Sequence, residues 1–320
     1  MAINVPWVTL RGCDKPMPVI GLGTSSYPPA DHATTKAAIL EAIKLGYRHF
    51  DTAFAYGSER AVGAAIAEAL RLGLVASRHE LFVTTKLWAT FADPGQIVAA
   101  CKMSLQNLGL EYVDMYLIHL PVRLTEQIRA VPVAAEVVKS LDVEGAWGAM
   151  EECKKLGLTR GIGVSNFSSK MIEHLVAIAT IPPALNQVEM NTGWQQKQLR
   201  DTCEAKGVHV TAYSPLGANN TKWGDARILR SQLLAAIAQA KGRTPAQVGL
   251  RWIYEQKVSM VVKSFNGERM KENLGIFDWC LDGGDLEKIR LQIPQRKAVT
   301  LASIFGPHPL ILELDRELTN

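Results

Sequence analysis

The 320-residue sequence holds no apolar run long enough to cross a bilayer, and its first residues, MAINVPWVTLRGCDKPMPV, lack the apolar core of a secretory leader. A soluble chain without a secretory signal is therefore expected, and with it a cytoplasmic location. Cysteine is sparse. Cys13, Cys101, Cys153, Cys203 and Cys280 lie far apart, form no CxxC and have no histidine at metal-ligand spacing. They read as reduced thiols, so neither a disulfide framework nor a resident metal is expected. No run of five like charges occurs among the 35 basic and 31 acidic residues, and the formal net charge is only +4. That pattern asks for neither nucleic acid nor a membrane surface as a partner. No strand pattern leads into a GxGxxG turn; GLGTSS at 21–26 comes closest, so a Rossmann domain would lack its phosphate loop.

What is present is a hydrophobic fraction of 48% against 21% charged, enough apolar material for a substantial core. A short hairpin is expected at 1–18, from WVTL, the polar turn RGCDKP and the start of MPVIGLG. Strand and helix patterns then alternate. The strands read MPVIGLG, YRHFDT, LFVTTK, VDMYLIHL, RGIGVSNF, PALNQVEM, VHVTAYSPLG and SMVVKSF. Helices are expected over 31–45, 58–72, 94–108, 142–156, from 168, over 195–205, 226–241, 244–255 and 267–277, with Asp31, Ser58, Asp142 and Ser168 at their starts. A long polar insertion covers 121–141. The strands are short, β-branched and apolar on both faces, as strands buried beneath helices should be. Eight such units favour one (β/α)8 TIM barrel, a single domain over 1–320, with the tail 293–320 folding as a loop over one end.

Ligands bind at the C-terminal ends of the strands in such a fold. Asp51, Tyr56, Lys86 and His119 stand at or just beyond the ends of the second, third and fourth strands, so they should meet at one mouth. Each alone has an ordinary reading, such as a turn-capping Asp or a strand-end Lys reaching solvent. Together their types suit proton donation to a carbonyl oxygen. A phenol has a pKa of roughly 10, and an adjacent ammonium is expected to lower it.

The segment FDTAFAYGSE at 50–59 resembles the FDTAxxYxxE signature of the aldo-keto reductases. The likeness continues through GIGVSNF (161–167), NQVEMN (186–191), AYSPLG (212–217) and KSFNGERMKEN (263–273), almost the whole chain. The resemblance implies a monomeric NADPH-dependent reductase of a small-molecule carbonyl, with Asp51, Tyr56, Lys86 and His119 as catalytic tetrad. It implies that Ser165, Asn166 and Gln187 hold the nicotinamide carboxamide, that Tyr213 stacks on the ring, and that Ser214 and Leu216 hold the pyrophosphate. Gly23, Thr24, Ser25 and Asp51 would complete the cofactor site. Lys263, Ser264 and Arg269 would grip the adenosine 2′-phosphate, with Glu272 and Asn273 on the adenine and Phe265 also at the cofactor. The cations at a helix start make an anion site in their own right, which favours NADPH over NADH.

EMNTGWQQKQL, VVKSFNGERMKENLGIFDW and IPQRK resemble the plant branch of the family that reduces ketones in specialised metabolism, the branch of codeinone reductase, chalcone reductase and deoxymugineic acid synthase. Val262 replaces a proline, and Ser25 a tryptophan, common in the family. Ser25, Tyr27, Trp88, His119, Val122, Trp223 and Phe305 would frame an apolar site with room for a bulky ketone. Two other readings stay open at this point: a cofactor-sensing regulatory module of the same superfamily, and a non-redox barrel enzyme using Asp51 and His119.

Overall fold

The computed structural model describes residues 5–126, 137–219, 221 and 224–318. The chain opens with a hairpin of β1 (Trp7–Val8) and β2 (Met17–Pro18), paired antiparallel. β3 (Ile20–Gly23), α1 (His32–Leu45), β4 (His49–Asp51), α2 (Glu59–Arg71), β5 (Phe82–Leu87), α3 (Pro94–Leu108) and β6 (Val113–Ile118) come next in strict alternation. The insertion contains a two-stranded antiparallel sheet, β7 (Val122–Leu124) on β8 (Val138–Ser140). Alternation resumes with α4 (Val143–Lys155), β9 (Thr159–Ser165), α5 (Ser169–Ile178), β10 (Leu185–Glu189), α6 (Lys197–Lys206) and β11 (His209–Tyr213). The chain ends with α7 (Gln232–Lys241), α8 (Pro245–Glu255), β12 (Ser259–Val262), α9 (Gly267–Leu274), α10 (Gly283–Gln292), α11 (Leu301–Phe305) and α12 (Pro309–Glu317).

Eight strands close into one parallel barrel in the order β3-β4-β5-β6-β9-β10-β11-β12, as expected from the eight strand patterns. Most of their residues are buried, so both faces of each strand meet protein. The hairpin closes the end opposite the strand C-termini. Leu10 and Met17 pack there on Phe82, Met115, Leu117 and Leu185, two of which are the first residues of β5 and β10. An ion network around the buried Asp114 ties it down: Lys15 Nζ donates to Leu81 O (2.7 Å) and Asp114 Oδ1 (3.2 Å), and Arg78 donates to Asp114 Oδ2 (2.7 Å). The outer ring is tight where α2 meets the end of α3. A Cβ on Gly63 would sit 1.9 Å from the Leu108 carbonyl oxygen.

Asp31, Asp142 and Ser168 accept backbone N–H bonds at the helix starts expected of them. Ser58 does not; its hydroxyl is engaged by Thr24 and Thr52. The helix expected from 226 starts only at Gln232, capped by Ser231, and the one expected to reach 277 stops at Leu274. The larger difference is the tail, which holds α11 and α12 where a loop was expected. Leu301, Phe305, Ile311 and Leu314 turn inward against Trp88, Leu120 and Val122, so a partner distant in sequence supplies what the short segment lacks. No helix among the described residues is long and apolar enough to cross a membrane.

Candidate active site

The site grows from the end of β4. Asp51 is the last residue of that strand, paired in register with Gly23 on one side and Thr84 on the other. Lys86 lies two residues beyond Thr84 and therefore on the same face of β5. Its Nζ donates to Asp51 Oδ1 at 2.6 Å and to Thr52 O at 3.0 Å, with no exposed side-chain surface. The second oxygen of Asp51 accepts from Gln187 Nε2 at 2.8 Å, reaching across the barrel from β10. Burial pushes the Lys86 ammonium down, but Asp51 and Tyr56 more than offset that, and its pKa ends above the ordinary value. The side chain stays charged at neutral pH.

Tyr56 sits on a single helical turn, Phe54–Tyr56, after β4, with Gly57 beyond it at φ +68°, a conformation that glycine adopts freely. Lys86 Nζ lies 4.9 Å from the centre of the Tyr56 ring, and the phenol oxygen is 3.4 Å from His119 Nε2. On sequence grounds Lys86 is expected to bring the phenol below its usual pKa. Instead, burial raises it, Lys86 pulls it back only in part, and the net shift is upward. The phenol therefore carries its proton at neutral pH. His119, just past β6, is held well below the usual imidazole value by burial and then by Lys86, so it is neutral. Its Nδ1 finds no hydrogen-bond partner among the described residues.

A frame of hydroxyls fixes this corner. Thr24 Oγ1 donates to Asp51 O at 3.0 Å and meets Ser58 Oγ at 2.8 Å, and Ser58 in turn meets Thr52 at 2.8 Å. Thr24 thus has its side chain committed to the strand end. Beneath it, buried Glu59 accepts from Thr85 and Asn107.

On the far side of the mouth, Asn166 and Ser214 stand in the left-handed region at φ +61° and +49°. Such backbone is costly for a residue with a Cβ and persists where the surroundings hold it, commonly at ligand sites. Asn166 Nδ2 donates to His119 O at 3.0 Å, and Tyr213 OH donates to Asn166 Oδ1 at 2.8 Å. Ser165 Oγ donates to Gln187 O at 2.7 Å, joining the Asp51 partner to the same network. Burial pushes the Tyr213 phenol well up, with Glu189, Tyr56 and Asp315 adding to it. Leu216 packs half-buried against the core nearby.

Past β12, Lys263 and Arg269 are exposed and close enough that Arg269, after desolvation, lowers the Lys263 pKa. Neither has an ion-pair partner among the described residues. Lys263 lies 4.9 Å over the Phe265 ring, and Ser264 Oγ accepts from Asn266 N. Arg269 N donates to the Asn266 side chain that opens α9. Asn273 is buried, and Glu272 accepts from the Thr244 hydroxyl. Two uncompensated cations at a helix N-terminus fit a dianionic phosphate.

Of the residues expected around a substrate, Ser25 and Tyr27 are exposed on the loop after β3. Trp88, Val122 and Phe305 are buried together, with the Phe305 ring stacked on Trp88 at 6.5 Å and Trp88 edge-on to His119 at 5.6 Å. Trp223 lies outside the described residues. No cluster of three His, Cys, Asp or Glu suited to a metal occurs among the described residues. Thr52 and Glu59 fall in the FDTAFAYGSE signature and Ser58 was expected as a helix start, but the hydrogen bonds they make around the strand end depend on turn geometry that the sequence does not show. Glu189 escapes a reading of the sequence too, because Asn186 and Gln187 make LNQVE polar in pattern, and only the structure shows the whole strand to be buried.

A closed (β/α)8 barrel with a buried Lys–Asp pair beneath a Tyr and a neutral His at its C-terminal mouth defines a class of barrel oxidoreductase. The aldo/keto reductase family model matches residues 19–291, and the chain belongs to that family. It is 62% identical over 98% of its length to D-galacturonate reductase of Fragaria ananassa, covering 99% of that protein. It is 48% identical to NADPH-dependent codeinone reductase 1-4 of Papaver somniferum, over 95% of this chain and 94% of that one. Among solved structures, a Bombyx mori aldo-keto reductase in complex with NADP superposes with a TM-score of 0.86 at 32% identity, covering 96% of this chain and 100% of the other.

Proposed function

We propose that the protein reduces an aldehyde or ketone to an alcohol with NADPH, Tyr56 delivering the proton. The observation that carries this is the buried Lys86–Asp51 pair at 2.6 Å, set under the Tyr56 ring with His119 beside the phenol oxygen. When bound, NADPH supplies a hydride to the carbonyl carbon. Tyr56, protonated at rest, gives its proton to the carbonyl oxygen, and Lys86 stabilises the phenolate that remains. Asp51 keeps Lys86 charged and aimed. A neutral His119 orients the carbonyl oxygen through Nε2. Ser165, Asn166 and Gln187 hold the carboxamide, Tyr213 the ring face, and Ser214 and Leu216 the pyrophosphate, with Gly23, Thr24 and Ser25 lining the same end. Lys263, Ser264, Phe265 and Arg269 take the 2′-phosphate, and Glu272 and Asn273 the adenine. Each charge-assisted contact to that phosphate is worth roughly 1.5–3 kcal/mol. The NADP-bound structural neighbour and the NADPH-dependent poppy relative support the same cofactor.

The apolar wall of Trp88 and Phe305 beside His119 favours a bulky ketone. A second reading, the aldehyde of a sugar acid, is favoured by the strawberry relative, which is named for D-galacturonate. Steady-state NADPH oxidation with D-galacturonate and with polycyclic ketones separates them. A higher kcat/KM for the ketones is expected, and the reverse order assigns the sugar acid. No turnover with any carbonyl, despite tight NADPH binding, would overturn the enzyme reading in favour of a cofactor-sensing module.

A further inference from the structure

Glu189 takes no part in the chemistry above, yet it is a carboxylate with 1% exposure at the last position of β10. It lies two residues beyond Gln187, on the same face of the strand and one step further toward the mouth. Its oxygens accept from Ala298 N at 3.0 and 3.1 Å and from Val299 N at 2.7 Å, all donors from the tail. A second carboxylate, Asp315 of α12, accepts from Leu301 N at 2.7 Å and Ala302 N at 2.8 Å. Lys297, with an 8% exposed side chain, stands 3.9 Å from Asp315. Four backbone amides within 298–302 are therefore pinned by two carboxylates at the point where the tail crosses the barrel rim.

The pinned crossing fixes where α11 starts. That helix has five residues, too few to hold a position by its own helicity, so its place is set by these pins and by packing. It carries Leu301 and Phe305 into the cluster with Trp88, and Trp88 meets the His119 ring at 5.6 Å. A carboxylate in such a strand is costly to bury, and its pKa is pushed up accordingly, the two tail amides and Lys297 pulling it partly back. An apolar residue would fill the strand end without that cost. It could not hold the tail in register.

We propose that Glu189 is a positioning residue for substrate selectivity, its carboxylate locking the start of the tail so that the Phe305–Trp88 wall stands fixed beside His119. The proposal rests on the carbonyl-reductase reading and deepens it. A large substrate reaches the wall and depends on the lock, while a small aldehyde meets only the tetrad and does not.

The test uses the full-length protein with NADPH and two probes, 9,10-phenanthrenequinone as the large carbonyl and propanal as the small one. Glu189→Ala should raise KM for the quinone by about tenfold, the loss of roughly one net hydrogen bond's worth of ordering. Its kcat, the kcat/KM for propanal and the affinity for NADPH should hold within about twofold, less than the effect of one such bond. Glu189→Gln, which keeps one acceptor oxygen and the same shape, should restore part of the quinone KM. Asp315→Asn, which weakens the second pin, should move the same parameter in the same direction, and either conservative variant carries the test if Glu189→Ala folds poorly. Equal losses for both probes, or no change in either with Glu189→Gln and Asp315→Asn, would overturn the positioning role alone. A wild type that oxidises NADPH with neither probe would overturn the reductase reading and this proposal with it.

Discussion

Tyr56 combines two opposed influences at one oxygen. Burial raises its pKa and Lys86 lowers it, so the phenol is protonated at neutral pH with the Lys86 ammonium beside its ring. Under the proposed mechanism, Tyr56→Phe removes the donor and touches none of the groups assigned to the cofactor's phosphates. Carbonyl reduction should fall by ~10²–10⁴, the usual worth of a positioned acid. A fluorescence titration should find NADPH binding nearly unchanged, and retention of more than about a tenth of wild-type turnover would contradict the role. The residue types and their places at strand ends were legible, because a parallel barrel brings consecutive strand ends to one rim. The sign of the Tyr56 shift was not, since it depends on how completely the folded chain buries the phenol. Nor could the strand pattern show Gln187 reaching Asp51 from the opposite side of the barrel.

At the scale of single elements, what the sequence made readable was local. Asp31, Asp142 and Ser168 cap their helices through contacts three residues away, and Asn266 opens α9 the same way. The tail helices escaped because Leu301, Phe305 and Ile311 find their apolar partners near 88 and 122, where no local pattern records it. α9 yields a cofactor prediction. Arg269→Ala should weaken NADPH binding about tenfold to a hundredfold while hardly altering NADH binding, because only NADPH offers the 2′-phosphate. Rising ionic strength should narrow the wild-type preference as well, since Lys263 and Arg269 are exposed. Equal loss of both cofactors would place Arg269 elsewhere than on the phosphate. α2 yields a stability prediction. Gly63→Ala gains about 1 kcal/mol of helix propensity, but its methyl would land 1.9 Å from a carbonyl of Leu108, which is backbone and cannot swing aside. Overpacking of this kind costs roughly 1–3 kcal/mol, so urea unfolding should show a net loss. An equal or higher midpoint would mean that α2 and α3 separate more easily than the packing implies.

Across the whole molecule the two barrel ends divide their tasks, and the eightfold alternation that announced the barrel says little about how its interior is filled. His49 illustrates this. Placed on β4 two residues before Asp51, it turns its ring into the barrel and is 1% exposed. Its Nε2 meets Thr84 Oγ1 at 3.0 Å, its ring lies edge-on to Phe82, and Gly21 leaves the space it occupies, for a Cβ there would lie 2.6 Å from Nδ1. Burial lowers its pKa to about 4, with Asp51 only partly opposing. In the unfolded chain the imidazole titrates at roughly 6.5. Protonation is thus harder in the folded state, and stability is fully present above that unfolded value. It is lost as pH falls from there through about 4, where the folded ring itself takes up a proton. The difference corresponds to a few kcal/mol, about 3 in order of magnitude. His209, half-buried and lowered to about 4 by desolvation, adds in the same direction. Unfolding free energy measured in urea should therefore decline steeply between about pH 6.5 and 4, a range that begins above ordinary carboxylate titration. His49→Gln removes one titrating group and should flatten that limb by about half while lowering stability at pH 7, because the amide fits the ring's space less well. Matching slopes for variant and wild type would show that His49 gains its proton without cost to the fold, and the acid sensitivity would then have to come from another group.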